Sequence, residues 1–180
     1  MAQFPASACP RISRFADNPF LMARWDLIRQ TIGLRAWAFR KIRLIFYVRP
    51  KVVELTDDRC EIQIPLSWRT RNHLGSMYFG ALCTGADAAA AVIGLRAVEK
   101  QRERFSILFK DVRGEFLKRA EGDTHFACEQ GREILAMLER AKASGERESL
   151  PLEVTATVPK LLGKEPVARF VLTLSARRKN

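Results

Sequence analysis

Histidine and paired cysteine are what this chain has least of. Only His73 and His125 are present, and the four cysteines (Cys9, Cys60, Cys83, Cys128) stand far apart with no CxxC pair. No zinc-site spacing can be written from them, and no disulfide framework is implied. A metal centre is therefore not expected. The start also lacks a charged-then-apolar leader, because Pro5, Pro10, Arg11 and Arg14 interrupt it. These absences together predict a reducing, cytoplasmic setting. Helix-turn-helix, zinc-finger and stacking-aromatic signatures are missing too, so nucleic acid is not expected as a partner despite a net charge of +11.

Acidic residues are scarce in one region in particular. Residues 1–50 hold nine basic and two acidic residues, whereas residues 51–180 hold 22 and 18. The surplus therefore belongs to the N-terminal third, and it favours contact with something anionic, such as acidic lipid or a phosphorylated cofactor. With 180 residues, 47% hydrophobic and 28% charged, the chain has a folded composition and enough length for one substantial core. The longest weakly charged run, Asn72 to Leu95, has Asp87 as its one charge. A carboxylate in mid-run is costly in a bilayer, so this segment is expected to be a helix buried in protein.

Residues 1–16 read as an irregular arm. Asn18-Pro19 is a helix start, and Leu21, Trp25, Ile28 and Ile32 recur on one helical face. Gly33 marks a stop or kink, with a second basic helical piece over Leu34 to Arg43. This segment either packs on its own domain or lies on an anionic membrane. From Leu44 the period changes to two. Phe46, Val48 and Val52–Leu55 read as a strand, and Cys60, Ile62, Ile64 and Leu66 as another. A long Ala-rich helix over 73–98 follows, then strands over 105–118 and 123–129. A helix from Gly131 to Ser144 buries Ile134, Leu138 and Ala141, and two alternating strands end the chain. Antiparallel strands around one apolar helix make an α+β domain over 44–180, with residues 1–43 as a basic helical extension.

The stretch Asn72-His73-Leu74-Gly75-Ser76-Met77-Tyr78-Phe79-Gly80, running on to Asp87, carries the chemistry. A polar turn leads straight into a buried helix, whose first turns offer free N–H groups and the positive dipole end. Gly75 and Gly80 leave backbone open to a ligand carbonyl. Asp87 sits inside the apolar helix, where a carboxylate must be paired, hydrogen-bonded or protonated. A buried carboxylate near oxyanion donors is an arrangement suited to acyl transfer. The plainer readings are a structural Asp87, an Asn72 that holds the turn, a solvent-facing His73 and a Tyr78 that lines a pocket.

This segment resembles the central-helix motif of hotdog-fold acyl-CoA thioesterases of the phenylacetyl-CoA thioesterase type. That family reads Asn-His-x-Gly, a gap, His-Gly-Gly, and a carboxylate about two turns on. Asn72, His73 and Gly75 match the opening, Gly80 the last glycine, and Asp87 the carboxylate. The order of elements from Phe46 to Arg178 matches a hotdog sheet wrapped on its helix, about three quarters of the chain. The resemblance implies hydrolysis of a fatty or aromatic acyl-CoA, with coenzyme A as part of the substrate and no other cofactor. It implies Asp87 as general base or nucleophile, Asn72 orienting water or the carbonyl, and the Phe79 or Gly80 amide as oxyanion donor. Ser106 would assist the attacking water, although it also reads as an ordinary strand residue. Gly75, Tyr78, Arg69, Arg71 and Lys110 would contact substrate, the two arginines at the coenzyme A phosphates unless they are simply solvated.

A homodimer or dimer of dimers is implied as well, with Ser106 and Lys110 reaching Asp87 of the partner subunit. Two departures stand out: Tyr78 where the family has His, and Phe79 in place of the first glycine. They motivate an alternative, a non-catalytic acyl-CoA or lipid binder, peripheral to the inner membrane surface through its basic N-terminus.

Overall fold

The computed structural model describes residues 19–101 and 103–179, with side chains from residue 24 onward. The arm expected over 1–16, the Asn18 cap and the Leu21 side chain lie outside the described residues. Eleven elements follow in order: α1 (Pro19–Lys41), α2 (Arg43–Tyr47), β1 (Lys51–Leu55), β2 (Cys60–Ile64), α3 (Phe79–Glu99), β3 (Phe105–Phe116), β4 (Thr124–Cys128), α4 (Gly131–Ser144), β5 (Glu148–Thr157), α5 (Pro159–Leu162) and β6 (Pro166–Arg178). Six strands form one antiparallel sheet in the order β1-β2-β4-β5-β6-β3. The sheet wraps α3, which packs on β2, β4, β5 and β6, while α4 closes over α3 and the β5–β6 side. This is the hotdog architecture expected from the sequence.

Alternation explains the strands. Cys60, Ile62 and Ile64 on β2 and Phe126 and Cys128 on β4 are fully buried against α3, while Glu61, Gln63 and His125 between them face outward. β6 repeats the pattern through Ala168, Phe170, Leu172, Leu174 and Ala176. α3 is long and apolar enough to cross a membrane by composition, yet 67% of its apolar window is buried inside the protein. It is the core helix. Ala88, Ala89 and Ala90 have no exposed surface.

The N-terminal region departs from the sequence reading in three ways. α1 runs through Gly33 without a break, because glycine inside a helix costs only about 1 kcal/mol and Leu34, Trp37 and Ala38 pack on the core beyond it. Residues 43–47 form the short helix α2, and the strand begins at Lys51 after Arg49 turns left-handed (φ 55°) ahead of Pro50. The third departure concerns the buried face of α1. Leu27, Leu34 and Ala38 pack inward, and Trp25 and Ile32 stay 62% and 61% exposed.

α1 also covers a sheet edge. Thr31 Oγ1 accepts the Val52 amide (3.0 Å), and the Arg35 guanidinium donates to the Pro50 and Arg49 carbonyls (2.8 and 3.1 Å). Edge strand β1 thereby gains partners for backbone groups that lack a neighbouring strand. The opposite edge, β3, has β6 on one side and nothing on the other among the described residues.

Gly85 marks where α3 presses closest to the sheet, since a β-carbon there would lie 2.3 Å from Cε2 of Phe126. At Gly94 the same atom would meet Leu174 at an ordinary 3.5 Å. Gly85→Ala should therefore destabilise the protein by about 1–3 kcal/mol through overpacking. Gly94→Ala should be neutral or gain up to about 1 kcal/mol. Urea unfolding of both variants checks the contrast.

Candidate active site

The expected helix over 73–98 begins six residues later, at Phe79. Residues 65–78 instead form a pinned loop. Thr70, buried, takes the Ser67 amide on its hydroxyl (2.9 Å) and donates to the Pro65 carbonyl (2.7 Å). Its own carbonyl accepts the Tyr78 amide (2.7 Å), and the Ala120 carbonyl accepts that of Met77 (2.8 Å). Asn72 closes the turn from within. Its Oδ1 accepts the Leu74 amide (2.9 Å), its Nδ2 donates to Ser76 Oγ (3.1 Å), and the turn closes on Gly75 (φ 86°). The Asn72 side chain is thus occupied with the loop, while His73 is exposed.

This loop delivers the start of α3 with its donors free. Ala81 and Leu82 both donate to the Tyr78 carbonyl (2.9 and 3.1 Å), but among the described residues the Phe79 and Gly80 amides have no acceptor. They precede the first intrahelical bond, so nothing within the helix can satisfy them. The Tyr78 ring lies over Gly80, where a β-carbon would come within 2.5 Å of its Cε1. Tyr78 and Phe79 rings stand 4.7 Å apart, and Phe79 meets Phe116 edge-on at 6.4 Å. Together with Met77, Leu82 and Leu117 these side chains line a groove of about 510 Å³, with His73, Lys118 and Arg119 at its polar rim.

Asp87 lies further along α3. The helix is buried on most sides, but Gly80, Cys83, Asp87 and Ala91 form a half-exposed stripe at three- and four-residue spacing. Among the described residues no hydrogen bond or ion pair reaches the Asp87 carboxylate. Burial alone pushes its pKa above the ordinary aspartate value. Between Gly80 and Asp87 the helix advances seven residues, roughly 10 Å.

With the geometry in place, comparison with known proteins gives the family. The chain matches the domain of unknown function DUF4442 over residues 36–174. It belongs to that family. No curated protein matches it. Among solved structures, a Pseudomonas aeruginosa protein of unknown function described as a probable thioesterase superposes with a TM-score of 0.70 at 23% identity, covering 83% of this chain and 96% of that one. A Chlorobaculum tepidum protein of unknown function gives 0.73 at 11% identity, with 85% and 97% covered. A Haemophilus influenzae thioesterase gives 0.58 at 13%, with 81% and 88% covered. At these identities the likeness is one of fold.

The DUF4442 segment contains every candidate residue, and the structure sorts them. Asp87, Phe79, Gly80, Tyr78, Asn72 and Gly75 gather along the open side and leading end of α3. Ser106 and Lys110 do not join them. Phe105, Ile107 and Phe109 turn inward on β3, so Ser106 shares the outer face of the sheet with its partner Arg177. Lys110 donates to Ser149 Oγ (3.1 Å) on the same outer face. Both residues therefore point away from the helix carrying Asp87. Arg69 is drawn off as well: its guanidinium stacks 4.4 Å from the Trp68 ring and 5.8 Å from Tyr47, while Arg71 is exposed beside the groove loop.

Lys118 and Arg119, which the motif did not single out, stand at the groove rim instead, with Lys118 paired to Glu165 (2.5 Å). Phe116-Leu117-Lys118-Arg119, an apolar pair followed by a basic pair at a strand end, is the signal that could have found them. A larger hollow of about 920 Å³ lies on the outer sheet face around Arg59, Glu61, His125 and Glu129. Four of its ionisable groups are tied together, Arg59 binding Glu61 and Glu129 as well as Glu54 of β1, and His125 meeting Glu61. The hydrogen bond from His125, assisted by Arg59, pulls the Glu61 pKa down to about 2. Among the described residues no group of three or more His, Cys, Asp or Glu side chains could hold a metal ion.

An acid whose pKa is raised on folding binds its proton more tightly in the native state. Stability then falls as pH rises from the unfolded value, about 3.9 for aspartate, through the folded one. Asp87→Asn should accordingly be at least as stable as the natural chain at neutral pH. The gain should vanish below the ordinary aspartate pKa, as read by melting temperature across pH.

Proposed function

We propose that this protein hydrolyses an acyl thioester, with a fatty or aromatic acyl group and coenzyme A as the thiol. The observation that carries the reading is the pair of unsatisfied amides at Phe79 and Gly80, which open on an apolar groove from the helix that bears an unpaired, desolvated carboxylate. The thioester carbonyl would accept from these amides, a donor of this kind being worth about 2.7–4 kcal/mol in acyl transfer. Met77, Leu82 and Phe116 suit an acyl chain, and Arg119 and Lys118 suit the anionic part of the thiol.

A carbonyl held at Gly80 is about two helical turns from Asp87 of the same chain, too far for attack through one water. A second subunit resolves this. The open edge of β3, with Leu108, Val112 and Phe116 46%, 56% and 51% exposed, suits pairing with its own copy. Such a dimer would face each groove with Asp87 of the partner subunit. That carboxylate takes a proton from water, whose oxygen attacks the carbonyl carbon. The oxyanion collapses, the C–S bond breaks, and the thiolate leaves and is protonated. A raised pKa suits a general base working near neutral pH.

Tyr78 and Phe79 favour a second reading, an acyl-CoA binder without turnover, because their rings, 4.7 Å apart and tilted, crowd the groove mouth. Thiol release from a panel of short, medium, long and aromatic acyl-CoA substrates separates the two. Asp87→Ala should lower kcat by about 100-fold or more while leaving binding intact. Tight binding with no thiol release from the natural protein would establish the binder instead.

The double variant Leu108→Lys, Val112→Lys should convert the dimer to a folded but inactive monomer, read by sedimentation velocity beside the same assay. An active monomer would overturn the shared site while leaving the chemistry standing.

A further inference from the structure

α1 has two apolar faces, and the fold uses one. Besides the inward face, Trp25, Ile28, Ile32 and Phe39 are 62%, 40%, 61% and 56% exposed. At 3.6 residues per turn these four fall within an arc of about 60°. Arg24 and Arg35 border that arc on one side, and Arg29 and Arg40 on the other. The stripe continues onto α2, because Phe39 meets Phe46 edge-on at 5.2 Å and Phe46 is itself 41% exposed. A second feature lies alongside. Between α1 and β1 runs an apolar hollow of about 350 Å³, floored by Leu27, Ile28, Ile32 and Val52, with Arg24, Arg35 and Lys51 around it. Over residues 24–51 the chain carries eight basic residues against Asp26 alone.

Charge decides what can cover this face. A self-complementary contact between two copies would set the same eight cations against themselves. A nucleic acid would neutralise the arginines but leave the aliphatic stripe wet. An anionic bilayer satisfies both, since it offers phosphates to the flanking cations and an acyl boundary to the stripe. We propose that the exposed face of α1 and α2 seats on an anionic phospholipid surface, with Trp25, Ile32 and Phe39 in the headgroup–acyl boundary. The hollow beside Val52 would receive part of a lipid chain under Arg24 and Lys51. This surface is separate from the groove at α3, so the proposal stands independently of thioester chemistry.

Co-sedimentation of the full chain with vesicles tests it, using phosphatidylcholine alone and phosphatidylcholine mixed with phosphatidylglycerol. Binding is expected with the mixed vesicles, absent with the neutral ones, and lost at high salt. Trp25→Ser with Ile32→Ser, and separately Arg29→Glu with Arg40→Glu, should each weaken partitioning about tenfold or more. Lys160→Glu with Lys164→Glu makes an equal charge change at and just after α5, off the α1–α2 face, and should retain binding. An equal loss in that control would reduce the effect to net charge and overturn the docking face. Failure of the natural protein to bind anionic vesicles would overturn it too, as would a self-association that the α1 variants abolish in the absence of lipid.

Discussion

An apolar helix enclosed by a curled sheet keeps little of its middle open to solvent, and in this protein Asp87 lies on that open part. α3 is covered by β2, β4, β5, β6 and α4, so that along its middle turns Cys83, Asp87 and Ala91 keep part of their surface open while Ala86, Ala88, Ala89 and Ala90 are sealed. A carboxylate at Ala86, Ala88, Ala89 or Ala90 would be sealed in hydrocarbon, at a cost the fold could not offset without a partner. On the open part it is desolvated enough to hold its proton more tightly, yet still reachable from outside. The same enclosure leaves the first two amides of α3 unsatisfied, because the loop before it commits its own groups to Thr70, Ser76 and Ala120.

The two edges of the sheet are treated differently, one covered by a helix and one left without a neighbour among the described residues. β1 is closed by side chains of α1 through Thr31 and Arg35, which spends the inner face of that helix on the sheet. The apolar residues left over, Trp25 through Phe39, have no covering within the described chain. The outer edge of β3 has no neighbour among the described residues, and Phe116 at its far end also walls the groove at α3. An assembly through β3 would therefore complete a catalytic wall and close an edge in one contact. Nothing comparable links the α1 face to the groove.

How much could be read in advance follows from how much each segment is decided locally. α4 was legible to the residue, because its amphipathic spacing runs from Gly131 to Ser144 with Gly145 in the left-handed cap (φ 72°). β2 and β6 were legible because burial on one face imposes strict alternation. The start of α3 was not, since Asn72, Gly75 and Ser76 suit a turn and a helix entry equally; the choice is made by Thr70 and Ala120. The buried side of α1 was not legible either. A helix with two apolar stripes looks amphipathic from both, and hydrogen bonds to β1 pick Leu27–Leu34–Ala38. For Ser106 and Lys110 the signal was present: they alternate with Phe105, Ile107 and Phe109, so a core on one side sends them to the other.

The departures from the thioesterase motif bear on substrate more than on mechanism. Phe79 stands in place of a glycine, but what the proposed reaction would draw from that position is a backbone N–H, and no acceptor takes it among the described residues. Its side chain turns outward against Phe116, adding an aromatic wall to the groove rather than blocking the amide. Tyr78 folds over Gly80, a position that tolerates the ring only because no β-carbon is there. The Tyr78 ring is thus accommodated by Gly80, the last glycine of the motif. A groove mouth walled by aromatic side chains is the consequence, with the Tyr78 and Phe79 rings in contact at 4.7 Å and Phe79 edge-on to Phe116 at 6.4 Å.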